Sequence, residues 1–125
     1  MLSNKDAMAT IAVTDIDVAR KFYEETLGLA QSGSEGPGLL SFNSGGATLL
    51  VYESAYAGTN QATCATWSVG ADIGAIVRTL KEKGVVFEHY DLPSTTRDGD
   101  IHITGKIKVA WFKDPDGNIL NLAGE

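Results

Sequence analysis

Cysteine and positive charge are the scarcest features of this 125-residue sequence. The one cysteine, Cys64, cannot close an internal disulfide, which fits a reducing cytoplasm. Ten Lys plus Arg face sixteen Asp plus Glu, a formal charge of −6, and basic residues never stand three in a row. A nucleic-acid binder normally carries a basic patch, so nucleic acid is not expected as a partner. An anionic membrane surface is disfavoured for the same reason. No apolar run approaches the ~18 residues of a bilayer span. Residues 1–10 include Asp6 and lack an apolar stretch, so no signal peptide is expected.

What is present is a globular composition. Hydrophobic residues make up 43% and charged residues 21%, which excludes disorder and coiled coil. Fourteen glycines in 125 residues indicate many turns without the period of collagen. The length suits one domain with a self-sufficient core.

Residues 7–14 mix small and β-branched types and read as a strand. Asp15 then offers an N-cap to a helix over 17–28, with Ile16, Ala19, Phe22, Tyr23 and Leu27 spaced as one buried stripe. Glu24 and Glu25 fall on its wet side, and Gly28 suits a left-handed cap. A second strand is expected from Leu29 to Ser32, broken by the turn cluster 33–38 that contains Pro37. That cluster links no strand to a capped helix, so its three glycines are no phosphate fingerprint. Residues 39–43 and 47–53 flank Ser44-Gly45-Gly46 and read as a β-hairpin. Residues 55–61 read as a connector.

The pattern then starts again. Residues 62–69 read as a strand, Asp72 as a second N-cap, and Ile73, Ile76, Val77 and Leu80 as a helical stripe closed by Gly84. Residues 85–92 are expected to form a strand stopped by Pro93, and 94–100 a polar loop. Residues 101–112 read as one or two strands with Gly105 at a turn or bulge. Asp114-Pro115-Asp116-Gly117 is a strong turn signal, and 118–123 the last strand.

Asp15 matches Asp72 at an offset of 57, and Gly28 matches Gly84 at 56. Each half therefore reads strand, helix, three strands, an internal duplication. Module one spans about 7–53, the connector about 54–61 and module two about 62–123. The expected class is α+β: two βαβββ modules sharing a curved mixed sheet, helices outside and a central cavity inside.

That plan carries Asp15-Ile16-x-x-Ala19-x-x-Phe22-Tyr23-x-x-x-Leu27-Gly28-Leu29 early and Trp111-Phe112-x-Asp114-Pro115-Asp116-Gly117-Asn118 late. In this it resembles the vicinal oxygen chelate superfamily of glyoxalases, bleomycin-resistance proteins and dioxygenases. The resemblance covers residues 7–123 and implies the glyoxalase/bleomycin resistance fold as a single domain over 1–125. The two motifs report a helix cap, a packing stripe and a turn, so they do not name a member.

The resemblance also implies four inward strand positions that carry metal ligands in metal-dependent members. Here they fall on Met8, Leu50, Cys64 and Asn121. A hard divalent ion wants carboxylates and imidazoles, and this set has none. Slipping the register finds only Tyr52, Glu53 or Thr63. The ordinary metal site is therefore read as absent, and no cofactor is expected. An alternative is a displaced metal site at His89 and His102, whose strands could be neighbours. Cys64 lacks a local cation, histidine or helix N-terminus to hold a thiolate.

The inward parity implied by the family places Met8, Thr10, Thr48, Leu50, Tyr52, Cys64, Thr66, Ser68 and Asn121 around the cavity, with Trp111 as a lining ring. Such a lining suits reversible binding of a small organic molecule. Only Glu53 or His89 could act as a general base, and only by turning inward. The reading favoured by these residues is a metal-free cytoplasmic binding protein like the bleomycin-resistance branch, sequestering an aromatic or cationic compound. Whether it is an enzyme is left open; the alternative is a glyoxalase-like lyase, isomerase or dioxygenase. A homodimer is expected, because paired modules of this family often complete each other's sheets.

Overall fold

A computed structural model describes the backbone of residues 1–125 and every side chain except those of Ser34 and Glu35. The chain divides into two compact units, Met1–Gly58 and Thr59–Glu125.

The first unit begins with β1 (Ala9–Val13) and α1 (Ile16–Lys21). Asp15 caps α1 because its extended backbone (φ −134°, ψ 113°) turns the carboxylate onto Asp17 N–H at 2.9 Å and Val18 N–H at 3.3 Å. The helix does not run on regularly to Gly28. Residues Phe22–Thr26 form a wider π-helical turn, closed by Leu27 N–H on the Phe22 carbonyl at 3.0 Å. Three strands follow, β2 (Ala30–Gly36), β3 (Leu39–Ser44) and β4 (Ala47–Glu53), giving a sheet in the order β1-β4-β3-β2 with β1 parallel to β4. Ile11, Val13, Leu40, Phe42, Leu49 and Val51 are buried on the face that meets Ala19 and Tyr23 of the helical segment.

One expectation fails here. β2 does not stop at Ser32 but runs through Gly33 to Gly36, and only Pro37-Gly38 turns. The strand absorbs the extra residues as two register breaks against β3, the second at Gly36, whose φ of 135° needs a glycine.

The second unit holds β5 (Thr63–Gly70), α2 (Ile73–Glu82), β6 (Phe87–Glu88), β7 (Thr96–Asp98), β8 (Ile101–Thr104), β9 (Ile107–Lys113) and β10 (Ile119–Gly124). Its sheet runs β5-β10-β9-β8-β7, with β5 parallel to β10 and β6 also on β9. Ile73, Val77 and Leu80 of α2 are buried, as are Phe87, Ala110, Phe112, Leu120 and Leu122.

Three readings are corrected in this unit. The strand expected over 85–92 shrinks to Phe87–Glu88, because β8 already pairs with β9 at Ile107–Val109 and leaves β6 only Trp111 and Phe112. The polar loop expected over 94–100 contains β7, which folds onto β8 through the turn at Gly99-Asp100. The module therefore has five strands after its helix rather than three. Asp72 precedes α2 but makes no side-chain cap: its near-helical backbone (φ −82°, ψ 0°) lacks the extended geometry that serves Asp15. The α+β class stands, realised as two mixed sheets, one in each unit.

Candidate functional site

In the second unit the two sheet faces differ. The face holding Phe112, Leu120 and Leu122 turns to α2, and Gly124, of the same parity, lies against Ile73. Strand alternation and register put Trp111, Asn121, Thr66, Ser68 and His102 on the opposite face.

Trp111 organises that face. Its indole N–H donates to Thr63 Oγ1 at 3.1 Å. Its ring meets His102 at 4.9 Å and Tyr90 at 5.3 Å, both nearly perpendicular, the edge-to-face arrangement aromatic quadrupoles favour. Tyr90 lies outside the shortened β6 and packs at 6.1 Å on His102. Sequence reading treated residues 85–92 as one regular strand and so missed Tyr90 as a candidate; the ring in Phe87-Glu88-His89-Tyr90 was its only signal.

His102 is 2% exposed, and the Tyr90 backbone N–H donates to its Nε2 at 2.9 Å. A backbone N–H can only donate, so Nε2 is bare and the ring proton sits on Nδ1. That Nδ1 is buried and, among the described residues, has no hydrogen-bond partner. The Asn121 Oδ1 on the same face is likewise buried without a partner. Such atoms are rare in native proteins, and each calls for a partner such as an ordered water, an ion or a ligand.

His89 is near, its ring 6.4 Å from that of His102, but it belongs to a separate polar cluster. Its Nε2 stands 2.7 Å from Asp100 Oδ1, and Arg97 Nη1 donates to its Nδ1 at 2.9 Å. Lys81 Nζ takes the other Asp100 oxygen at 2.7 Å. Hydrogen bonds first from Lys81 and then from His89 hold the Asp100 carboxyl below its ordinary value of 3.8. A lowered carboxylate pKa stabilises the fold above that ordinary value, and the stabilisation is lost as pH falls through the lower folded one. Asp100→Asn should therefore flatten the acid limb of a urea-unfolding stability profile below about pH 4, by about 1 kcal/mol at most because Lys81 and His89 are largely exposed. An unchanged limb would count against the cluster.

Cys64 is the extra residue of a bulge: Ile119 pairs with Thr63 and Leu120 with Ala65, leaving Cys64 without an opposite residue. Burial first, and then the charge of Asp114, push its thiol up, which opposes a nucleophilic role.

In the first unit, Thr10, Leu50 and Ser41 lie in one row on the face away from α1, with Tyr52 and Thr48 on the same face. Met8 precedes β1 and is 49% exposed. Glu53 does not stand free as a base: its carboxylate accepts Ile16 N–H at 3.2 Å beside the start of α1.

The residues at the family's four metal positions do not fit a hard ion. Module one offers an exposed thioether and an apolar branch, Met8 and Leu50. Module two offers a bulge thiol whose pKa is raised and one amide, Cys64 and Asn121. Among the described residues no three His, Cys, Asp or Glu side chains group to hold a metal. His89 and His102 come together, but their nitrogens are engaged by Asp100, Arg97 and Tyr90, apart from the proton-bearing Nδ1 of His102.

Solved structures share this fold. FosX, a fosfomycin resistance protein from Listeria monocytogenes, is 14% identical with a TM-score of 0.75, over 100% of this chain and 95% of its own. TnmS3, an antibiotic binding protein from Streptomyces sp. CB03234, is 22% identical with a TM-score of 0.70, over 99% and 98%. An integron cassette protein from the mobile metagenome of the Halifax Harbour sewage outfall is 16% identical with a TM-score of 0.73, over 98% and 99%. Comparison with curated proteins gives no match. The sequence pattern of one family covers residues 7–122, nearly everything from β1 to β10. The chain thus belongs to the Glyoxalase/Bleomycin resistance protein/Dioxygenase superfamily.

Proposed function

We propose that this chain is a metal-free small-molecule-binding protein of the bleomycin-resistance type, which sequesters an aromatic or cationic compound in the cytoplasm as a homodimer. The observation that carries this reading is the ring-bearing face of the second sheet, where Trp111 and Tyr90 flank a buried donor and a buried acceptor that the protein itself leaves unpaired. Ligand sites combine apolar and aromatic surface with a few polar atoms, and this face carries rings and two unpartnered polar atoms. The formal charge of −6 favours approach of a cation. That TnmS3 is an antibiotic binding protein with the same fold supports the reading. The alternative, a lyase, isomerase or dioxygenase with a metal displaced to His89 and His102, is opposed by the hydrogen bonds those rings already make.

Thermal unfolding with acridine orange, a planar aromatic cation, tests the proposal. At a hundred times its Kd a native-state ligand adds about 2.7 kcal/mol, which for a domain of this size raises Tm by roughly 10 °C. Manganese, nickel, zinc and iron(II) ions are expected to raise it by nothing measurable. Stoichiometric binding of any of these ions would overturn the metal-free reading, and a flat response to aromatic cations would remove its support.

A further inference from the structure

We infer that Glu88 is the counter-ion of a cationic aromatic ligand laid against Tyr90 and Trp111, and that the Lys113 ammonium holds this place until the ligand displaces it. This deepens the binding reading above and rests on it.

Register puts the parts together. Glu88 pairs with Trp111 across β6 and β9 and so shares its sheet face, and Lys113, two residues on along β9, has the same parity. The Tyr90 ring lies 5.3 Å from that of Trp111. Lys113 Nζ stands 3.0 Å from Glu88 Oε1, with 46% of the lysine side chain and 30% of the glutamate side chain exposed. Tyr90 is 37% exposed and Trp111 half-buried. A carboxylate, an ammonium and a ring therefore adjoin one another within reach of solvent.

Lys113 already sits where a ligand cation would. The Glu88 carboxylate, first by accepting its hydrogen bond and then by its charge, holds the lysine protonated above its ordinary value, and Tyr90 acts in the same direction. An ion pair this exposed is screened by water and contributes little, so releasing the lysine costs little. A planar aromatic cation brings what an ammonium on a flexible stem does not: a face to stack on the rings and a weakly hydrated charge.

The other charges near the rings are committed. Arg97 stands opposite His102 and shares the face, but it is engaged by His89 and the Gly99 carbonyl. Asp100 is held by Lys81 and His89. Asp98, next to Arg97 on β7, has the opposite parity. Among the described residues Glu88 is thus the one strand carboxylate of this sheet on the face of Trp111.

The test titrates acridine orange, followed by its fluorescence, with acridine as comparison, the same three-ring frame uncharged near neutral pH. Lys113→Gln is expected to tighten acridine orange about threefold, because Glu88 is then unopposed, and to leave acridine unchanged. Glu88→Gln should weaken acridine orange about fivefold and again leave acridine unchanged. In the Glu88→Gln background the gain from Lys113→Gln should shrink, as it must for residues that act on each other. Lys106→Gln removes the same charge beyond the opposite end of β9 and should change nothing measurable. An equal gain from Lys106→Gln would assign the effect to net charge and overturn the inference. Weaker binding in Lys113→Gln would make the lysine a ligand contact rather than a competitor, and would overturn it as well. If acridine orange binds wild type and Glu88→Gln alike, only this inference falls; if no aromatic cation binds wild type, both do.

Discussion

Replacing Phe112 by alanine is expected to lower the unfolding free energy by about 3–5 kcal/mol. Phe112 is fully buried on the α2 side of β9, between Leu120 on β10 and Phe87 on β6. Its ring lies 5.7 Å from that of Phe87 and 6.5 Å from that of Trp67. Both neighbours belong to strands held in register by the same sheet, so the walls of the hole cannot move in to fill it. The loss includes the transfer energy of the ring and a cavity left by incomplete relaxation. Domains of this size are stable by about 5–15 kcal/mol, so about a fifth of the margin or more goes. Urea unfolding should show a lower midpoint at unchanged slope. Phe112→Leu, which keeps most of the volume, should cost about 1–1.5 kcal/mol. A loss under about 1 kcal/mol for the alanine variant would mean that the ring does not sit at the centre of this core.

Asp114→Ala is expected to cost about 3 kcal/mol, although it removes no apolar surface. Asp114 is 5% exposed, and its carboxylate accepts from Asp116 N at 2.9 Å, Asn118 N at 2.9 Å and Asn118 Nδ2 at 2.8 Å. Two backbone bonds close the same loop, Gly117 N–H to the Asp114 carbonyl and Asp114 N–H to the Asn118 carbonyl, both at 3.0 Å. Alanine would leave three donors without their acceptor, one of them on Asn118, itself 5% exposed. Unmade bonds to buried donors cost about 1–3 kcal/mol each, and partial access of water keeps the sum below its ceiling. Asp114→Asn should recover about half, since it keeps one acceptor oxygen. This turn also sets the pairing of Trp111 with Asn121 across β9 and β10, so the variant should weaken acridine orange binding at temperatures where it is still folded. If Asp114→Ala is as stable as wild type, the carboxylate is not what holds the turn.

Features written in local chemistry could be read from the chain directly. The Asp15 cap, the Gly45-Gly46 hairpin and the Asp114-Pro115-Asp116-Gly117 turn each depend on residues within a few positions of one another, and all three are found where expected. The α2 stripe was legible for the same reason: Ile73, Val77 and Leu80 face inward because 3.6 residues make a turn. The misreadings share a cause of the other kind. Residues 85–92 have strand composition throughout, but a strand needs a partner edge, and β8 had taken Ile107–Val109 of β9. Residues 96–98 have loop composition and became a strand because β8 offered them an edge. Asp72 has the residue type of a cap and lacks the backbone angle.

By itself, then, the sequence determined the α+β class, the internal duplication, the motifs of its superfamily and the lack of hard ligands at Met8, Leu50, Cys64 and Asn121. The first two follow from residue type and spacing, and the last from the positions that the resemblance to the superfamily implies. Only the tertiary structure decided that Cys64 is a bulge residue, that Tyr90 packs on His102 and Trp111, and that a donor at His102 and an acceptor at Asn121 are left unpaired on one face. Those facts depend on which strands compete for an edge and on where a single backbone amide, that of Tyr90, sends its proton. Neither quantity is encoded within any one segment.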